Sequence, residues 1–182
     1  MLMLMSWNLL VALFAGVAAQ AVAVPTGNEH VDIIAKMSAE RADPGDKVLL
    51  TVEVHPRSNI RVYATGASDY AAAKILLVPP KGIKMGRPKF PEPTRERTPG
   101  KNGKVPLYAR EFLLSQEIEI DKSVKRDQKI KLAGSLIYQS CDDRVVFPQS
   151  TIPIVWTLTI KPEHDEDRDR DGRGSPDGRP QP

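Results

Sequence analysis

Cys141 is the residue of this chain best suited to covalent chemistry with another protein. It is the only cysteine among 182 residues, and Asp142, Asp143 and Arg144 follow it directly. Because this polar run connects two predicted strands, we expect Cys141 to lie exposed at the tip of a hairpin. A thiol in that position can meet the surface of another protein, whereas a packing cysteine is expected in mid-strand among apolar neighbours.

Other residue types that catalyse reactions or bind metals form no recognisable site in the sequence. The histidines His30, His55 and His164 lie far apart and show no ligand spacing with the cysteine. Residues 167–172 match the start of a calcium loop, but Gly178 stands where such a loop needs a bidentate glutamate. We therefore predict neither a metal nor a cofactor.

The elements on either side of Cys141 show the clearest secondary-structure pattern. Apolar residues recur at every second position in residues 130–138 and again in residues 152–160. This period is typical of strands with one buried face. Further strand-like segments lie at residues 31–37, 48–54, 60–63, 74–78 and 112–120. Since no stretch has a convincing helical period, about seven strands predict an all-β sandwich.

Two irregular segments interrupt the strand pattern. Residues 64–73 are small except for Tyr70, and we interpret them either as a mobile flap or as a simple connection between strands. Residues 79–106 are rich in proline, glycine and basic side chains, which suits either an acidic partner or a solvated surface. Phe90 is their only aromatic residue and the net charge is only +3. The sequence therefore predicts no nucleic-acid partner.

The two ends of the chain are expected to lie outside the folded domain. Residues 9–19 are an unbroken apolar run followed by small residues, so residues 1–23 are interpreted as a secretory signal peptide. No lysine or arginine precedes the run, and an uncleaved membrane anchor is the alternative. Residues 24–161 then form one exported domain with no membrane span after cleavage. Residues 162–182 are charged and rich in glycine and proline, which predicts a disordered tail.

The hairpin sequence resembles a known family. The segment YQSCDDRVVFPQSTIPIVWTL, preceded by LAGSLIYQ, is similar to the N-terminal immunoglobulin-like domain of the bacterial thiol:disulfide interchange protein DsbD. The similarity continues upstream through NIRVYATG, ILLVPPKGIKMGRPKFPEP and VPLYAREF, and it covers about residues 31–161.

The resemblance implies an immunoglobulin-like β-sandwich that lies in the periplasm and docks thioredoxin-like proteins or domains during thiol-disulfide exchange. Cys141 would be the catalytic thiol. The residues that would contact the partner are Tyr70, Tyr138, Gln139, Asp142, Asp143, Val146 and Phe147.

The chain departs from the family at its second redox cysteine. The matching position is Val146, or Phe147 in the neighbouring register. Exchange needs one thiolate that attacks and a second thiol that resolves the mixed disulfide. Three interpretations follow: a single-thiol participant in exchange, a docking module without redox chemistry, and a redox-inert structural or interaction domain. An unpaired cysteine in an exported protein favours the first two.

Overall fold

The computed structural model describes residues 26–163, which form thirteen β-strands. Their bounds are β1 Thr26–Gly27, β2 Val31–Met37, β3 Arg41–Ala42, β4 Lys47–Pro56, β5 Arg61–Tyr63, β6 Lys74–Val78, β7 Ile83–Lys89, β8 Thr94–Arg97, β9 Lys104–Tyr108, β10 Phe112–Ile120, β11 Gln128–Tyr138, β12 Ser140–Cys141 and β13 Ser150–Ile160. None of the described residues belongs to a helix that is long and apolar enough to cross a membrane. The predicted signal peptide or anchor, the calcium-like run and nearly all of the predicted tail lie outside the described residues.

Two large sheets build the body of the domain. One has the strand order β1-β2-β4-β10-β7 and the other the order β3-β13-β11-β6. Side chains at alternate positions point inward from both sheets and form the main hydrophobic core, which includes Leu50 and Leu114 from the first sheet and Leu136 and Trp156 from the second. The predicted all-β, immunoglobulin-like sandwich is confirmed.

A third, smaller sheet has the order β12-β5-β9-β8 and carries Cys141 on its edge strand. It occupies the end of the sandwich at which β11 finishes. Strands β11 and β13 pair along their full lengths, from Gln128 opposite Ile160 to Tyr138 opposite Ser150. The two strands predicted around the cysteine are therefore confirmed, and β12 lies in the connection between them.

Residues 79–106 are more regular than their composition predicts. They contain β7, β8 and the start of β9. Strand β7 pairs with β10, and β8 pairs with β9. Pairing with distant or neighbouring strands supplies the backbone hydrogen bonds here, which a local pattern of glycine and proline does not reveal.

Candidate functional site

A tight turn shapes the tip that follows Cys141. The backbone amide of Asp142 donates to the carbonyl of Val145 at 3.0 Å. The carboxylate oxygen Oδ1 of Asp142 accepts from the amides of Arg144 at 2.7 Å and Val145 at 2.6 Å. These two donors hold the pKa of Asp142 below its usual value. Asp142 therefore fixes the turn from within.

Val146 lies directly opposite Cys141 across this turn. The two residues form an antiparallel bridge. It is flanked by hydrogen bonds from Asp142 to Val145 and from Phe147 to Ser140, so the bridge is a non-hydrogen-bonded pair. In such pairs the Cα atoms are about 4.5 Å apart and the side chains share one face. Of the two positions considered for the family's second cysteine, Val146 is thus the one opposite the thiol, while the Phe147 ring lies tilted against the His30 ring at a centroid distance of 4.2 Å.

The prediction of an exposed thiol is wrong, because Cys141 has no accessible surface. The residue belongs to a small group of buried side chains separate from the main core, here called the thiol cluster. Its members are Tyr63, Ala67, Leu107 and Cys141. Pairing of β12 with β5, and of β5 with β9, brings these distant residues together, which the local hairpin sequence does not reveal.

Residues 64–73, here called the cover loop, close the thiol cluster from outside. Ala67 belongs to the cluster, and Tyr70 packs against it with its ring stacked on Tyr63 at a centroid distance of 3.8 Å. The loop reverses at Gly66, whose φ of 95° favours glycine. An ion pair between Lys101 and Asp69 links the loop to the segment that precedes β9. The cover loop therefore covers one side of the thiol cluster, while Val105 of β9 and Val146 of the tip also pack against it.

Gln139 joins the cover loop to the tip. Its side-chain Oε1 accepts from the amide of Ala71 at 3.0 Å, and its Nε2 donates to the carbonyl of Phe147 at 2.9 Å. Its backbone amide also donates to the carbonyl of Ala71 at 2.9 Å. The side-chain amide of Gln139, which was predicted to contact a partner, thus forms its hydrogen bonds within the domain.

Arg61 places a positive charge beside the thiol. It is the residue opposite Cys141 in the β5–β12 pair. Its Nη2 donates to the carbonyl of Asp142 and to the carboxylate of Asp143, both at 2.7 Å. Burial acts to lower the pKa of Arg61, but interactions with Cys141 and Asp143 outweigh it and raise the pKa. Sequence reasoning missed Arg61, since only strand pairing reveals its position.

Three hydroxyl groups of this region, on Tyr63, Thr98 and Ser140, are buried. The Tyr63 hydroxyl neighbours Thr98, Cys141 and Tyr70. Burial raises the pKa of Tyr63 above its usual value.

The remaining predicted contact residues differ in exposure. Tyr138 is fully buried in the main core and donates to Asn28 Oδ1 at 2.7 Å, so it does not form part of the tip surface. Val146 and Phe147 are half-buried. The exposed residues of the tip are Asp143, Arg144 and Val145, of which the last two were absent from the predicted set.

No metal centre is formed by the part of the chain that the structure describes. In residues 26–163, histidine, cysteine and acidic side chains nowhere come together in groups of three or more with a geometry suited to a metal ion.

Comparisons with known proteins yield structural neighbours only. No model of a known protein family matches the sequence, and no curated protein matches it. The N-terminal periplasmic domain of ScsB from Proteus mirabilis is similar at 16% identity with a TM-score of 0.49, covering 79% of this chain and 53% of that chain. This chain thus spans about half the length of that neighbour.

Two further solved structures are similar to this chain. The DsbD N-terminal domain of Neisseria meningitidis in its reduced form has 18% identity and a TM-score of 0.38, covering 66% of this chain and 82% of that chain. The GGA1 GAE domain of yeast has 16% identity and a TM-score of 0.33, covering 71% and 94%. The DsbD N-terminal domain is thus among the structural neighbours, as the sequence resemblance predicts, and the likeness concerns the fold.

Proposed function

We propose that this chain is an exported domain that docks thioredoxin-like proteins at the Cys141 tip and offers them a single thiol. The observation that carries the proposal is the position of Cys141 in a cluster closed by a loop, apart from the main core. The resemblance in sequence to the DsbD N-terminal domain supports the class of partner and the export.

The cover loop acts as the gate to the thiol. Tyr70 and the bonds of Gln139 hold it closed. Opening exposes few side chains, because the thiol cluster is small. Local opening of such a segment needs less free energy than unfolding of the sandwich. A docked partner that displaces Tyr70 therefore reaches Cys141 without disturbing the main core.

The exposed tip makes the first contact with the partner. Asp143, Arg144 and Val145 project from the turn that Asp142 fixes. Movement of the cover loop then uncovers the half-buried Val146 as part of the contact surface. In this proposal Tyr138 and Gln139 do not touch the partner. Tyr138 anchors the end of β11, and Gln139 holds the cover loop in its closed position.

The single thiol determines which reaction can follow. The Cys141 thiolate attacks one sulfur of the partner's disulfide, a mixed disulfide forms, and the partner's other sulfur leaves as a thiolate. This chain has no second cysteine to resolve the product. A small thiol from outside attacks the Cys141 sulfur, which releases the partner with both cysteines reduced and leaves Cys141 joined to the small thiol.

A second candidate is a docking domain without redox chemistry. It is favoured by the complete burial of Cys141 and by the valine at the position opposite it. In this case the partner binds the closed tip, and the cover loop stays in place.

A trapping experiment separates the two candidates. The partner is a periplasmic thioredoxin-like protein with only its attacking cysteine, carried as a mixed disulfide with thionitrobenzoate. Attack by Cys141 releases the coloured thiol and joins the two proteins covalently. We expect a covalent one-to-one complex with the unmodified chain, and only non-covalent binding with Cys141→Ser.

The outcomes are distinct. Non-covalent binding by both proteins without release of the coloured thiol supports the redox-inert docking domain. If neither protein binds, the docking proposal itself is wrong. Gln149→Ala, an exposed substitution outside the tip, is the control for effects of mutation alone.

A further inference from the structure

The outer face of the β3-β13-β11-β6 sheet combines an apolar centre with a cationic border. We call the outward positions of β6, β11 and β13 the lysine-rimmed face. Leu76, Val78 and Val155 at its centre are 51%, 69% and 62% exposed. The charged side chains at these positions are Lys74, Lys129 and Lys131. None of these positions is acidic.

Strand register makes the apolar centre continuous. Val78 and Val155 flank Ala133 in one row across β6, β11 and β13. Leu76 and Pro153 flank Ser135 in the adjacent row. Strands in a sheet lie about 4.8 Å apart, so each row spans about 10 Å. The result is a flat apolar patch that nothing in the described residues covers.

The outer face of the other large sheet provides the internal comparison. Three of its lysines are paired with acidic residues on neighbouring strands: Lys36 with Glu53 at 2.6 Å, Lys47 with Glu117 at 2.9 Å and Lys84 with Glu119 at 3.5 Å. The fourth, Lys89 of β7, lies opposite Ser115 at the edge of that sheet. In residues 26–163, Lys74, Lys129 and Lys131 form no ion pair. The lysines of the lysine-rimmed face therefore lack the acidic partners that neutralise most lysines of the other face, and they surround exposed aliphatic side chains.

We propose that the lysine-rimmed face binds the surface of an anionic phospholipid membrane. Protein interfaces are depleted in lysine and enriched in aromatic residues. This face has three lysines and no aromatic side chain, and its margin beside β3 carries one cation, Arg41, and one acid, Glu40. Lysines beside a membrane are attracted by anionic headgroups, and the central aliphatic side chains can enter the interfacial region. Charge and composition therefore fit lipid better than an acidic protein.

This membrane contact is independent of the proposed thiol exchange. Strand β11 crosses the lysine-rimmed face and ends at Tyr138, just before the strand that carries Cys141. A domain bound through this face would thus hold its thiol tip near the membrane surface. The binding itself requires neither Cys141 nor the cover loop.

The test measures sedimentation of the full chain with vesicles. One set contains phosphatidylcholine with phosphatidylglycerol and the other phosphatidylcholine alone. The triple variant Lys74→Gln, Lys129→Gln, Lys131→Gln is compared with Lys36→Gln, Lys47→Gln, Lys84→Gln, which removes the same charge from the opposite sheet. Each lysine near an anionic surface is worth about fivefold in binding, so the first variant should lose about a hundredfold on anionic vesicles.

The second triple variant should lose less than about threefold, since its lysines already have acidic partners. Equal losses for the two variants would overturn the proposal, because net charge alone would explain them. Equal binding to both vesicle types would also overturn it, including the case in which residues 9–19 alone cause the sedimentation. Binding to soluble polyglutamate but not to anionic vesicles would assign the face to an acidic protein instead.

A positional probe tests the same contact without relying on affinity. A fluorophore that responds to polarity is attached to Val155→Cys or to Leu113→Cys, each combined with Cys141→Ser. Leu113 is 45% exposed on the outer face of the other sheet. We expect a blue shift with anionic vesicles at position 155 only. A shift at position 113 alone, or at neither position, would contradict the proposal.

Discussion

The molecule has two buried regions that differ in what covers them. The main core lies between two large sheets, and its side chains on β11 and β13 are held by pairing along the full length of both strands. The thiol cluster contains few residues and is closed on one side by the cover loop. Leu136 and Cys141 both have no accessible surface, although only five positions separate them.

Leu136 and Cys141 are therefore equally inaccessible to solvent, but they differ in how much of the structure covers them. Removing a side chain from the main core leaves a cavity between two sheets that cannot easily collapse. In the proposed opening of the thiol cluster one loop moves, which is held by a tyrosine stack, the bonds of Gln139 and the ion pair between Lys101 and Asp69. Regions closed by few contacts open locally at a free energy well below that of global unfolding.

The largest difference between the regions should appear in stability. Leu136→Ala removes a fully buried side chain from the main core and should lower the free energy of unfolding by about 2–5 kcal/mol. Tyr70→Ala removes a stacked ring from the cover loop and should lower it by about 1 kcal/mol. Denaturant unfolding of the two variants measures both values. Equal losses would mean that the cover loop is part of the main core.

A second cysteine tests the register of the tip. Val146→Cys places two thiols in a non-hydrogen-bonded pair, where Cα atoms about 4.5 Å apart fall within the range for disulfides of about 4.4–6.8 Å. We expect a disulfide under mild oxidation and a gain in stability of about 2 kcal/mol. Mass spectrometry and unfolding with and without reductant measure these effects.

The control for that experiment is Phe147→Cys. Phe147 packs against His30 and is not opposite Cys141, so this variant should keep two free thiols. Closure of a disulfide by Phe147→Cys but not by Val146→Cys would show that the register of the tip is different.

Gln139→Ala should loosen the cover loop while leaving the main core intact. It removes hydrogen bonds to Ala71 and Phe147, each worth about 0.5–1.5 kcal/mol. Amide hydrogen exchange should become faster in residues 64–73 and 140–147 but not in the centre of β11. Gln149→Ala removes an exposed glutamine and should change neither region. Faster exchange throughout β11 would show that the two regions are coupled.

The smallest expected effect is a change at the tip when Asp142 is protonated at low pH. The pKa of Asp142 is lowered by its bonds to the amides of Arg144 and Val145. The stability that the ionised carboxylate gives to the tip is therefore fully present above the unfolded pKa of about 3.9. It is lost as the pH falls through the lower pKa of the folded state. Amide signals of Arg144 and Val145 should shift in that acidic range. Asp142→Asn, which does not titrate, should abolish the shift, and an unchanged shift would assign it to another group.

Local sequence patterns determined much of the sandwich. The alternation in residues 130–138 and 152–160 correctly predicted β11 and β13, and residues 31–37, 74–78 and 112–120 match β2, β6 and β10. These strands each have one face in the core, so their period is visible in the sequence. Strands β7 and β8 were missed because they are mostly exposed and contain or adjoin glycine and proline.

The candidate site depended on contacts that no local pattern contains. Cys141 is buried because β5, β9 and the cover loop, all distant in sequence, meet it in space. The same non-local pairing brought Arg61 beside the thiol. The polar run after Cys141 did predict a tight turn, although Asp142 and Gln139 proved to bond within the domain.

The most direct test of the gate is the rate at which iodoacetamide labels Cys141 in the native protein. If the cover loop opens locally, labelling proceeds without global unfolding and changes little with low concentrations of denaturant. Loss of the tyrosine stack in Tyr70→Ala should then raise the rate about three- to tenfold. Labelling at the rate of global unfolding, equal in both proteins and with the full denaturant dependence, would contradict the account and make Cys141 a packing residue.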